Sequence, residues 1–114
     1  MDVQPAPGVV RVCLNGALIA ESQQAVVMHE GNHPPRYYLP LSDIDANALE
    51  ANDHSSYCPF KGTARYWTVR VGGADGAQVD NGAWAYDAPY AECLSIAGLV
   101  AFYNEKFELS IDGG

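Results

Sequence analysis

The chain has 114 residues, enough for one domain but too short for two with separate cores. Apolar residues make up 48% and charged residues 18%, which favours a folded globular domain over a disordered chain. Fourteen acids against six Lys and Arg give a net charge of -8, so neither nucleic acid nor an anionic membrane is an expected partner; both need clustered cations.

Residues 1–8 read as a tail on a single domain spanning residues 1–114. The start, Met1-Asp2-Val3-Gln4-Pro5, lacks the cationic and apolar regions of a signal peptide. No apolar run approaches the ~18 residues of a membrane span. Cys13, Cys58 and Cys93 are odd in number and form no CxxC pair, so neither a closed disulfide framework nor a zinc ribbon is expected. A reduced, cytoplasmic protein fits these features.

Residues 9–14 are rich in β-branched side chains and run into Asn15-Gly16, a pair suited to a type I′ turn, so a hairpin returning over residues 17–20 is expected. Residues 24–29 read as a third strand, broken by Gly31-Asn32-His33-Pro34-Pro35, and residues 36–40 as a fourth that Pro40 ends. Residues 42–50 read as one short helix, with Ser42 as its cap and Asp43 and Asp45 at its positive end. Residues 52–62 read as an irregular loop.

Residues 63–71 regain strand character, with Arg65, Trp67, Val69 and Val71 on one face and Tyr66, Thr68 and Arg70 on the other. A turn over residues 72–76 leads to a strand running from Gln78 to Tyr86, and Asp87-Ala88-Pro89 stops it. Residues 96–103 read as a strand, and Asn104-Glu105-Lys106 turns them into the alternating Phe107-Glu108-Leu109-Ser110-Ile111. The expectation is an all-β or β-dominated single domain: about eight short antiparallel strands, barrel-like or as a folded sheet, with one short helix.

Four groups of residues carry candidate chemistry. His29-Glu30-Gly31-Asn32-His33 matches H-E-x-x-H, but that zinc motif needs both imidazoles on one helix face. Gly, Asn and two prolines oppose a helix here, so a polar turn with solvent-facing imidazoles is expected, and no metal. Asp43 and Asp45 have the i, i+2 spacing of paired Mg²⁺-binding aspartates, but at a helix start such residues diverge, and dipole complementation accounts for them. No cofactor is called for.

The stretch from Asp53 to Thr63 places Cys58 close to Lys61 and, if the loop folds back, to His54; such neighbours favour a thiolate nucleophile with His54 as base. The plainer alternative is a packed Cys-Pro turn in a loop that lines a ligand site. Finally, Tyr37, Tyr38, Tyr66, Trp67, Trp84 and Tyr86 lie near Arg36, Lys61 and Arg65, half of the chain's cations. Stacking surfaces beside cations suit an anionic or nucleotide-like small molecule. The expected ligand residues are Arg36, Tyr38, His54, Cys58, Lys61, Tyr66, Trp84 and Tyr86. Catalysis by Cys58 and His54 is a second class of function, and self-association as a homodimer through an exposed strand edge a third.

Leu14-Asn15-Gly16 with Ile19-Ala20-Glu21-Ser22, Pro35-Arg36-Tyr37-Tyr38-Leu39-Pro40, Trp84-Ala85-Tyr86 and Val100-Ala101-Phe102-Tyr103 occur in this order around Cys58-Pro59-Phe60-Lys61-Gly62-Thr63-Ala64-Arg65-Tyr66-Trp67. Together they resemble the domain of unknown function 427 family over nearly the whole chain. The resemblance implies a compact β-rich bacterial domain, often occurring alone. It brings no established activity, and the nucleotidyltransferase heading sometimes attached to the family is not supported by the aspartate geometry above. His29 and His33 lie outside the matching motifs; Arg36, Tyr38, Cys58, Lys61, Tyr66, Trp84 and Tyr86 lie inside them.

Overall fold

The structure is a computed structural model that describes residues 2–72 and 76–112. Ten strands form among these residues: β1 (Asp2–Pro5), β2 (Val9–Leu14), β3 (Ala17–Ser22), β4 (Val26–His29), β5 (Arg36–Leu39), β6 (Leu49–Cys58), β7 (Gly62–Arg70), β8 (Gln78–Ala85), β9 (Val100–Phe102) and β10 (Glu108–Asp112). They build a seven-stranded sheet in the order β1-β4-β5-β9-β8-β7-β6 and a three-stranded sheet in the order β10-β2-β3. Every pairing is antiparallel. The large sheet does not close into a barrel, so the folded-sheet form of the expected architecture is the one adopted. No helix of the described residues is long and apolar enough to cross a membrane.

The Asn15-Gly16 hairpin forms as expected: φ is +53° and +80° at the two residues, the left-handed values that a type I′ turn demands. Four segments differ from expectation. Residues 2–5, read as tail, pair with β4 as an edge strand. The helix expected over residues 42–50 is two separate 3-10 turns, Leu41–Asp43 and Ala46–Ala48. Between them Ile44 bridges Ala20 and Asp45 N donates to Ile19 O, so pairing with β3 wins over helix continuation. Ser42 caps nothing there; Asp45 caps the second turn by accepting from Asn47 N.

The loop expected over residues 52–62 is mostly β6, whose register with β7 slips between Ala51 and Ser55. Asn52 fills that irregularity, donating to Thr68 Oγ1 and Asn81 Oδ1. The strand expected over residues 96–103 is shorter: Ala91–Ile96 forms a 3-10 segment, Gly98 turns the chain at φ +72°, and β9 covers Val100–Phe102. The middle of the expected 72–76 turn, residues 73–75, lies outside the described residues.

Strand alternation gives the large sheet two different faces. Leu39, Trp67, Val69, Ala83, Ala85, Val100 and Phe102 pack with Val10, Val12, Leu14 and Ile19 of the small sheet into the main core. Their sequence neighbours Tyr38, Ala64, Trp84 and Ala101 belong to a second cluster with Met28, Tyr86, Cys93 and Ile96. The small sheet covers one face, and the other face is left for the site.

Candidate functional site

That second face carries a row of cross-strand neighbours. Tyr66 on β7 pairs with Trp84 on β8, Trp84 with Ala101 on β9, and Ala101 with Tyr38 on β5. Adjacent strands lie about 4.8 Å apart, so side chains two strands apart start roughly 10 Å from one another. Tyr38 and Trp84 lean together across the small Ala101 until their ring centroids are 6.5 Å apart, edge to face. Tyr103, just beyond β9, lies with its ring centroid 4.4 Å from that of Trp84. The result is an aromatic floor laid down by strand register.

Above it lies a cleft of about 480 Å³. Arg36, Tyr38, Cys58, Lys61, Tyr66, Trp84 and Tyr86 line it, seven of the eight residues expected at a ligand site. Glu30, His33, Pro34, Tyr57, Pro59, Phe60 and Tyr103 complete the wall.

His54 is the expected residue that the cleft lacks. It is exposed on β6 and rests against the Tyr66 ring, with centroids 4.5 Å apart. Four residues of extended chain separate it from Cys58, roughly 13 Å. The fold-back that would make His54 a base for Cys58 does not occur, because this segment is a strand. Arg65 points to the covered face instead, over the Trp67 ring at 4.4 Å and paired with Asp87 at 2.7 Å.

The Cys-Pro-Phe-Lys-Gly stretch is a tight turn. Lys61 N donates to Cys58 O, and Gly62 at φ +115° restarts the chain as β7. Tyr90 N donates to Lys61 O, tying the turn to the segment after β8. The turn aims Lys61 inward; its side chain is 11% exposed, and Nζ lies 2.6 Å from Glu30 Oε1. Glu30 opens the β4–β5 connection, a turn closed by His33 N donating to Glu30 O. The H-E-x-x-H residues therefore form a turn, with His29 and His33 both exposed as expected and Glu30 engaged by Lys61.

Arg36 donates through Nη1 and Nη2 to the two Glu105 carboxylate oxygens at 2.7 and 3.2 Å. Its guanidinium also lies 5.7 and 5.5 Å from the Trp84 and Tyr103 ring centroids. The hydrogen bonds from Arg36 hold the Glu105 carboxyl below its ordinary value. Burial acts in the opposite sense on the phenols. It pushes Tyr38 up to about 12, against a partly offsetting hydrogen bond from the Trp84 indole, and raises Tyr86 and Tyr103 as well. These hydroxyls stay protonated and remain donors throughout the physiological range.

The paired-aspartate pattern dissolves in three dimensions. Asp43 Oδ2 accepts from Ser22 Oγ at 2.6 Å, while Asp45 caps its own turn. Among the described residues no three His, Cys, Asp or Glu side chains come together in a way that could hold a metal ion. Glu30, His33, Pro34 and Tyr103 line the cleft without being expected there from the sequence; Glu30 and His33 carry a signal in H-E-x-x-H, but for a different chemistry, and Tyr103 closes the Val100-Ala101-Phe102-Tyr103 motif.

No curated protein matches the chain. The model of the family described as Domain of unknown function (DUF427), named NTP_transf_9, matches residues 2–113. The motif residues and the fold they build thus sit inside one continuous match, and the chain belongs to the DUF427 family.

Proposed function

We propose that the cleft binds a small molecule carrying a planar group and an anionic group, with a nucleotide-like compound as one member of that class. The planar part stacks on Trp84 and Tyr103. The anionic part meets Lys61 and Arg36, with the protonated Tyr38 and Tyr86 phenols as further donors. The observation that carries this reading is convergence. Side chains from β5, the β6–β7 turn, β7, β8 and the segment after β9 all line one cleft, among them five of the chain's seven tyrosines. In a chain of charge -8, that cleft wall holds Lys61, Arg36 and one carboxylate, Glu30.

Native mass spectrometry of the protein as purified, followed by thermal-shift screening of planar anions, tests the reading. A retained or stabilising compound that Trp84→Ala no longer binds supports it. Compounds that bind wild type and Trp84→Ala equally would count against the cleft. We also propose a reducing cytoplasm as the protein's compartment, which suits the half-buried Cys13 and Cys58 thiols.

A second reading, self-association, rests on β6. It is the longest strand described and an edge of the large sheet, and Tyr57 near its end is 64% exposed. Light scattering on wild type and a β6-edge proline variant, Ser55→Pro, tests it: a dimer lost in the variant supports the reading, and a monomer in both removes it.

A further inference from the structure

Lys61 is buried and already has an anion. Its ammonium lies 2.6 Å from the Glu30 carboxylate at the wall of the cleft. A ligand's anionic group can meet Lys61 fully only if that carboxylate leaves, because a buried ammonium left without a partner is costly and two carboxylates at one ammonium repel.

Glu30 has somewhere to go. Its side chain is 27% exposed and lines a second cleft of about 420 Å³ on the outer side, shared with Gly31, Asn32, His33 and Phe60. Glu30, His33 and Phe60 border both clefts, so the Lys61–Glu30 pair stands at the partition between them. Next to Glu30, Gly31 sits at φ +50° with open space where a Cβ would be, so nothing packs against that side of the turn. Rotation of the Glu30 side chain away from Lys61 would turn its carboxylate toward that second cleft, which His33 also lines.

We propose that Glu30 is a resident stand-in for the ligand's own anionic head: a planar ligand with a single such head takes Lys61 from Glu30, which swings into the outer cleft. This rests on the cleft reading above and narrows it. For a carboxylate head the exchange is one negative charge for one, so the charge balance at Lys61 is kept. A polyphosphate brings several negative charges to a wall whose other cation, Arg36, is already held in a two-point pair by Glu105. A carboxylate matches Glu30 in charge, and a phosphate monoester, at about −1.5 to −2 near neutral pH, exceeds it by no more than about one charge; a nucleoside triphosphate exceeds it by several.

The test uses the full chain and matched probes: one- and two-ring aromatic carboxylates (benzoate, indole-3-carboxylate), their carboxamides, AMP and ATP. Binding is read by calorimetry for wild type, Glu30→Gln and Lys61→Met. The Gln amide oxygen still accepts from Lys61, but the competing charge is gone. The carboxylates, or AMP if the natural head is a phosphate, bind Glu30→Gln at least about tenfold more tightly than wild type, and the carboxamides change by less than about twofold. Lys61→Met removes the preference of carboxylate over carboxamide; if that variant does not fold, the matched probes on Glu30→Gln decide.

Carboxylates and AMP that bind Glu30→Gln no better than wild type overturn the exchange and leave the cleft reading standing. ATP binding more tightly than AMP overturns the single-head assignment. Failure of every probe to bind either protein overturns both the exchange and the cleft reading beneath it.

Discussion

Tyr38 is 1% exposed, and burial holds its phenol up to about 12, against the ordinary 10. The unfolded chain therefore releases this proton at lower pH than the folded one. Between pH 10 and 12 the unfolded state binds fewer protons, so stability falls as pH rises; below 10 the full contribution is present. A shift of about two units corresponds to about 3 kcal/mol in all, of which roughly half is gone by pH 11.

Urea denaturation of wild type and Tyr38→Phe between pH 8 and about 11.5 reads this directly. The variant starts from a different stability, because the buried phenol is replaced, so the slope with pH is the informative quantity. Tyr38→Phe loses roughly 1 kcal/mol less than wild type on going to pH 11. Tyr86 and Tyr103, raised in the same sense, contribute the remaining slope to both proteins. Parallel pH profiles for the two proteins would refute the claim that the cleft keeps Tyr38 protonated by burial.

Phe102 is fully buried and meets Phe107 edge to face at 5.3 Å in the main core, so Phe102→Ala costs about 3–5 kcal/mol in the same denaturation assay. A cost under about 1 kcal/mol would mean that the two sheets do not pack through this residue. The thiols divide by position: Cys13 and Cys58 are half-buried, and Cys93 is fully buried. Maleimide labelling followed by mass mapping modifies Cys13 and Cys58 in the folded protein and Cys93 only in denaturant. A bound planar carboxylate slows labelling at Cys58, which lines the cleft, and leaves Cys13 unchanged.

What the sequence shows well here is local and strongly patterned. The β2–β3 hairpin is legible because β-branched residues meet an Asn-Gly pair that accepts positive φ. β6 is not, because an edge strand with a register slip exposes residues on both faces. Asp53, His54 and Ser55 then read as a polar loop. β1 is held by backbone pairing to β4 and has no apolar alternation to announce it. The helix expected over residues 42–50 fails on a long-range contact, the Ile44–Ala20 bridge, which propensity cannot see.

The site divides the same way. Arg36, Lys61, Trp84 and Tyr86 stand out because scarce cations and large aromatics gather in short motifs. Glu30 and Tyr103 do not, because their roles depend on partners that only strand order brings close. Lys61 is 31 positions from Glu30, and Tyr103 meets Trp84 through β8–β9 pairing. His54 enters the expected site only because the composition of residues 52–62 predicts a loop able to fold back.

The two tryptophans make the central claim directly measurable. Trp84 lines the cleft, whereas Trp67 is buried in the main core under Arg65, on the opposite face of the sheet. Titrating indole-3-carboxylate or AMP into ¹⁵N-labelled protein reports on each indole N–H as a separate resonance. The Trp84 resonance shifts and saturates while Trp67 stays in place. Movement of Trp67 with Trp84 unchanged would contradict the central claim, as would the absence of a saturable shift in either.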